Sequence, residues 1–274
     1  MQLIDIGVNL SNARFDNDRG ELLERARDAG VEKLILTGTS ISESEHVVAL
    51  CSEYAERFPE MLYATAGIHP HDAKSLNSES IATLKALATQ PCVVALGEMG
   101  LDFNRNFSNP AAQEKAFEAQ LELAVALQLP VFLHERDAAD RQLQILRVYR
   151  DHLSDAVLHC FTGTREALYG YLDLDLHIGI TGWICDDRRG EALQKLVVDI
   201  PRHRLMVETD APYLSPKNLP KNQLPYPISG SRNEPCTLPF IVRTIAHHRE
   251  ETAEQVARQT TANATRFFRL DSVV

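Results

Sequence analysis

Short β-branched and apolar runs recur along the chain, and between them apolar positions fall at three- and four-residue spacing. The runs at 3–7, 33–37, 62–67, 93–97, 131–134, 156–159, 177–181 and 204–208 predict eight strands. Most are nearly continuous in apolar residues rather than alternating, as expected of strands covered on both faces. Helical spacing fills the gaps at 21–29, 42–57, 80–88, 111–127, 140–152, 165–173 and 189–197. It is strongest over 111–127, where Pro110 stands just before the first turn with its backbone already set for a helix. A Pro-rich loop at 211–235 follows the eighth run, and helical patterns at 238–249 and 253–268 come after it. Eight strands separated by helices predict an α/β fold of the TIM (β/α)8 barrel type. An open doubly wound sheet is the rival, but it has no reason to stop at eight. No repeat, low-complexity tract or linker breaks the series, so residues 1–274 are expected to form one domain.

Composition narrows the class without changing the fold. Of 274 residues, 44% are hydrophobic and 24% charged, enough to build a core without staples. The formal charge of −10 argues against a chain that coats nucleic acid by bulk electrostatics. It leaves room for a nucleic-acid enzyme, because a bound divalent cation reverses the local field inside a cleft. Five cysteines without a C-x-x-C pair are neither a disulfide framework nor a zinc ribbon. With no secretory pattern at 1–10 and no membrane-length apolar stretch, the expectation is a cytoplasmic protein with no membrane partner. No long apolar stripe is left over for an obligate interface, so a monomer is expected.

The polar residues that carry chemistry gather at the C-terminal ends of the predicted strands. One strand runs into Glu98 with Asp102 four residues on, another ends at His134, another at His159, and the last is followed by Glu208 and Asp210. His69 and His71 follow the third. In a TIM barrel these ends open onto one rim, where the active site sits. One histidine ending an apolar strand is ordinarily a hydrogen-bonded packing residue. Two of them with a Glu and an Asp at equivalent ends make a divalent-metal constellation. Cys160 beside His159 suggests a Cys/His nucleophile pair, but neighbours on a strand point to opposite faces, which argues against it.

At these same segments the sequence resembles the TatD family of metal-dependent nucleases. DIGVNL, AGIHPHD, GEMGLDFNRNFS, VFLHERDA, VLHCFTGT, IGITGW, ETDAPYL and SRNEP occur in the family's order across nearly the whole chain. The resemblance implies a barrel related to the amidohydrolase superfamily. It also implies a divalent-metal-dependent 3′→5′ exonuclease acting on single-stranded DNA ends, or RNA ends, with roles in DNA repair or degradation. Carried over by position, Glu98, His134 and His159 match the family's metal ligands, and Asp210 matches the carboxylate that completes the site and helps activate water. Many members begin with Asp-x-His-x-His, whereas this chain reads Asp5-Ile6-Gly7-Val8-Asn9. Two imidazoles are thereby replaced by at most one amide oxygen. That favours a hard ion such as Mg²⁺ over Zn²⁺, with Mn²⁺ also suitable and one or two ions held.

These readings combine into metal-assisted phosphodiester hydrolysis, with Glu98 and Asp210 as the catalytic carboxylates. Candidates for contact with the substrate are His69, His71, Asp102, Asn9, Arg136 and Arg232, the arginines because their fork matches phosphate oxygens. Phe103, Phe161, Trp183 and Tyr213 lie near strand ends and are candidates to stack a terminal base, or simply to pack. A metal-dependent amide, ester or aminoacyl hydrolase on the same barrel is the alternative, since Lewis acid and activated water serve carbonyl and phosphoryl centres alike.

Overall fold

Eight parallel strands pair in strict chain order: β1 (Leu3–Val8), β2 (Val31–Leu36), β3 (Leu62–Ala66), β4 (Val93–Asp102), β5 (Val131–Arg136), β6 (Ala156–Leu158), β7 (His177–Ile180) and β8 (Leu205–Val207). This is a computed structural model, and it describes residues 1–220, 224 and 231–270. The ring is joined by a bridge from Val8 to Ala211 and by the hydrogen bonds Asn9 N to Ala211 O (2.8 Å) and Asp210 N to Gly7 O (2.9 Å). Each step between strands crosses a helix: α1 (Arg19–Asp28), α2 (Ile41–Tyr54), α3 (Ser78–Leu87), α4 (Pro110–Leu127), α5 (Ala139–Tyr149), α6 (Arg165–Asp173) and α7 (Glu191–Leu196). Then come α8 (Leu238–Arg249) and α9 (Ala253–Phe268). The alternation read from the sequence is a TIM barrel. Of the Pro-rich loop, residues 221–223 and 225–230 lie outside the described residues, as do 271–274 of the predicted domain.

Helix starts follow local chemistry. Ser40 caps α2 by accepting from Glu43 N, Asn109 caps α4 just before Pro110, and Thr252 with Gln255 forms a reciprocal capping box on α9. Two apolar clusters hold the layers together. The larger joins strands to the surrounding helices. The smaller gathers Ile4, Ile6, Ile35, Ala95, Phe132, Val157 and Met206 from six different strands, which is possible only inside the barrel. Phe267, Phe268 and Leu270, at and beyond the end of α9, complete this cluster. A filled interior leaves the loops at the strands' C-terminal ends as the place for a cavity.

Most strand bounds fall within two residues of those expected, and one strand departs further. β4 runs to Asp102 rather than ending at 97, with a register shift between Leu96 and Met99. Gly97 lies inside that shift at φ +137°, and a Cβ there would stand 2.2 Å from Phe132 O. Only glycine meets both demands. The irregularity carries the chain past the usual strand end and places Glu98 on the rim. Replacing Gly97 by Ala is expected to cost about 2 kcal/mol or more, read as a lower urea midpoint with an unchanged m-value.

Candidate metal centre on the barrel rim

A cavity of about 1160 Å³ opens at the strands' C-terminal ends, and Asn9, His69, Glu98, His134, His159 and Asp210 all line it. Each is delivered by a strand or by one of the first three residues beyond its end. Glu98 follows the β4 irregularity, and Glu98 N bonds to Gly38 O at 2.7 Å. His134 belongs to β5. His159 is seated beyond β6 by its N–H to Leu133 O at 2.9 Å, and His69 beyond β3 by its N–H to Thr39 O at 2.8 Å. Asp210 takes a left-handed backbone at φ +53°, as do Asp137, Cys160 and Leu214, which also line the cavity. Strained residues of this kind persist where the surrounding structure over-determines them.

The centre is built around one buried carboxylate. Glu98 Oε1 stands 2.8 Å from His159 Nε2, 2.9 Å from His134 Nδ1 and 3.3 Å from His69 Nε2. The far nitrogens show what each ring can present. His69 Nδ1 accepts from His71 N at 3.1 Å, so its Nε2 carries the proton and donates toward Glu98. His159 Nδ1 faces Glu208 Oε2 at 3.3 Å, which holds a proton on that side and leaves Nε2 as the nitrogen that faces Glu98. His134 Nε2 is buried without a hydrogen-bond partner, and Asp102 Oδ2 stands 3.5 Å away. Neutral His134 and His159 would turn lone pairs on a carboxylate oxygen, so either a proton or a cation must occupy this spot. His69, Glu98 and His134 also offer ligand atoms within 4.8 Å of one another. The donor set fits a divalent metal.

The ionisation balance agrees. Burial would raise the Glu98 pKa, but His159, His69 and His134 outweigh it and hold it well below the usual range. Burial opposes charge on His159, yet Glu98 and Glu208 push its pKa well above the ordinary value. A proton on His159 and a divalent cation therefore compete for the same place. Asp210 is pushed up to about 7, by burial first, with His159 opposing and Glu208 and Glu98 adding to the rise. Its Oδ1 accepts from Asn9 Nδ2 at 2.9 Å.

Other residues singled out in the sequence take varied places. His71 Nε2 contacts Asp102 Oδ2 at 2.7 Å, and Asp102 Oδ1 accepts from Asn104 N and Arg105 N, so this carboxylate braces both a ring and a turn. Arg136 is exposed and lines the cavity, as do Phe103, Trp183 and Tyr213, whereas Phe161 is buried in the core. Burial drives the Cys160 thiol far above its ordinary pKa, which removes it as a nucleophile. Arg232 is not brought to the cavity. Its guanidinium meets both Asp18 oxygens at 2.8 and 2.7 Å and Glu234 Oε1 at 2.5 Å, which pins the late loop to the residue just before α1. Next to it, Asn233 donates to Thr209 O at 2.9 Å, one residue before Asp210.

Sequence reasoning missed how Glu208 works. Its carboxylate is buried, accepts from Cys160 N at 2.5 Å and faces His159 Nδ1. Cβ atoms added at Gly7 and Gly179 would meet its oxygens at 2.3 and 2.6 Å. The two glycines on flanking strands are the available signal: they leave a slot, and Glu208 fills it.

Comparison with known proteins places this geometry. The family model of TatD-related DNases matches residues 4–269. The chain is 52% identical over 268 residues to a 3′-5′ ssDNA/RNA exonuclease TatD of Erwinia billingiae, spanning 98% of this chain and 99% of that one. It is 51% identical over 266 residues to the protein of the same description from Cronobacter turicensis, spanning 97% of each. Among solved structures, a TatD homolog from Escherichia coli K12 superimposes with a TM-score of 0.86 at 27% identity, covering 97% of this chain and 98% of that one.

The Arg232 contacts generate a stability prediction. Asp18 is pushed down to about 2, chiefly by its hydrogen bond to Arg232 and then by Arg25. A carboxyl depressed on folding stabilises above its unfolded pKa, near 4, and loses that contribution as pH falls toward 2. Arg232→Ala is expected to lower the Tm by several degrees at pH 7. The gap from wild type should narrow as the pH drops from 5 to 3, and calorimetry across that range measures it.

Proposed function

Because the chain belongs to the TatD family, we propose that it is a divalent-metal-dependent 3′→5′ exonuclease that hydrolyses phosphodiester bonds at the ends of single-stranded DNA and RNA. The observation that carries this reading is the convergence of His134, His159 and His69 on Glu98, with Asp210 in the same cavity. The names of the relatives support the substrate and the polarity. Glu98, His134 and His159 would hold the cation, with Asp210 completing the set. When bound, the cation supplies Lewis-acid polarisation of the phosphate and lowers the pKa of a water molecule. Mg²⁺ is the proposed ion, because Gly7 and Asn9 add no nitrogen ligands.

The protein's own groups have separable tasks. Asp210, oriented by Asn9, accepts the proton of the attacking water. Glu208 holds the His159 proton on Nδ1 and leaves Nε2 free for the centre. His69 Nε2, fixed as a donor, presents its hydrogen toward the phosphate oxygens that enter beside Glu98. The proposed cellular setting is the cytoplasm, where a monomer would degrade nucleic-acid ends, including those arising in DNA repair. No helix among the described residues is long and apolar enough to cross a membrane.

Single-stranded DNA labelled at either end tests the reading, with Mg²⁺, Mn²⁺ or chelator. Stepwise loss from the 3′ end that chelator abolishes is the expected result. Metal-dependent cleavage of cyclic amides with intact oligonucleotides would instead favour the carbonyl-hydrolase alternative. His134→Ala and Asp210→Asn are each expected to lower the rate at least about a hundredfold while shifting the Tm by only a few degrees. His134→Ala should also weaken Mg²⁺ binding in calorimetry. Near-normal turnover in either variant would remove that residue from the site.

A further inference from the structure

A polyanion entering this cavity meets mostly negative charge: eight carboxylate residues line it against three arginines. Where its backbone can rest is decided by which arginines are unengaged. Arg141 is held by Glu114 at 2.7 Å. The guanidinium groups of Arg105 and Arg136 make no ion pair or hydrogen bond among the described residues, and both side chains are exposed. The carboxylates next to them are already turned to other donors. Asp102 serves His71 and the Asn104 and Arg105 backbone, Asp137 Oδ2 takes Asn104 Nδ2 at 2.6 Å, and Glu135 Oε1 takes Ala138 N at 2.7 Å.

The two arginines share one wall. Asp102 is the register partner of Arg136 at the ends of β4 and β5, and Phe103 N donates to Arg136 O at 2.9 Å, so the loop carrying Arg105 is tied to the strand end carrying Arg136. In an eight-stranded barrel that wall faces the β8 and β1 ends, where Asp210, Asn9 and the half-exposed Tyr213 stand. Glu98 and His134 belong to the same two strands, β4 and β5, as the arginine wall. Phe107, largely exposed, projects from the Arg105 loop with its ring edge-to-face against His71 at 4.8 Å between centroids.

We infer that Arg105 and Arg136 form a second phosphate site, which binds the diester following the one being cut, with Phe107 as the stacking surface for the adjoining base. This rests on the nuclease reading and deepens it: the enzyme senses strand length, and single-stranded chains carrying at least two phosphodiesters are its proper substrates. Guanidinium forks suit phosphate oxygens, and a base on Phe107 adds affinity without sequence preference.

Two separate measurements test this. Hydrolysis of bis(p-nitrophenyl) phosphate reports the reaction alone, so its absence would count against the proposed function and leave the second site to be judged by binding. Binding is read by fluorescence anisotropy of a labelled, phosphorothioate-linked decathymidylate in Mg²⁺, and by KM over thymidylate strands of two to ten nucleotides. Arg105→Ala and Arg136→Ala should each weaken decathymidylate binding about tenfold and flatten its salt dependence by about 0.7 in logarithmic slope, the amount for one phosphate contact on a single strand. Their loss should be largest in KM for long strands and much smaller for bis(p-nitrophenyl) phosphate, with Arg105→Lys recovering part of it. Arg141→Ala, on the same cavity but already paired, should bind as wild type does. The inference is overturned if Arg105→Ala and Arg136→Ala bind decathymidylate as tightly as wild type, if wild type shows no gain in affinity beyond one phosphodiester, or if the losses are equal for every substrate.

Discussion

Burying a carboxylate away from water is costly unless charge and hydrogen bonds compensate it, and Glu98 is buried at the centre of the rim with three imidazoles closing on one of its oxygens. The rest of the site answers to that requirement. The rings must come from different strands to reach one atom, and only a barrel brings the ends of β3, β5 and β6 to within hydrogen-bond distance of a residue on β4. Each ring is then oriented by a partner on its far side: the His71 backbone for His69, Glu208 for His159, and the loosely placed Asp102 for His134. The looseness at His134 matters, because a ring locked on both sides could not rotate to share a cation.

The architecture was legible because it rests on periodicity. Nearly continuous apolar runs at 131–134 and 177–181 suit burial on both faces of a parallel sheet wrapped by helices, and Pro110 in the first turn marks the start of its helix. What could not be read was the way β4 passes its expected end. A glycine at positive φ inside a strand looks, in sequence, like a glycine ending one, and the difference lies in Phe132 O on the neighbouring strand.

The convergence of the candidate residues on one cavity was legible, and what each side chain does there less so. Strand ends converge in any barrel of this type, so His134, His159, Glu98 and Asp210 could be grouped before any coordinates. Roles depend on what stands behind each side chain. Arg232 reads as a phosphate grip from its type and place in a late loop, yet its partner Asp18 lies 214 positions away, and no local pattern reveals it. His69 belongs by position with the metal-type cluster, but one backbone hydrogen bond to Nδ1 commits its other nitrogen to donating.

The first strand shows how a missing pair of ligands changes the demands on the rest. With Gly7 where many relatives carry histidine, no side chain crosses the space between β1 and β7, and the Glu208 carboxylate fills it, bounded by Gly7 on one side and Gly179 on the other. From there it bonds the Cys160 backbone and reaches His159. A histidine restored at position 7 would put its Cβ into Glu208 and so give up the support of His159 to gain a nitrogen of its own. Asn9 illustrates the same economy. Its Nδ2 donates to Asp210 Oδ1 and to Ala211 O. The variant start is thus coupled to the orientation of two groups at other strand ends, and single reversions at 7 or 9 disturb the centre before they can enlarge it.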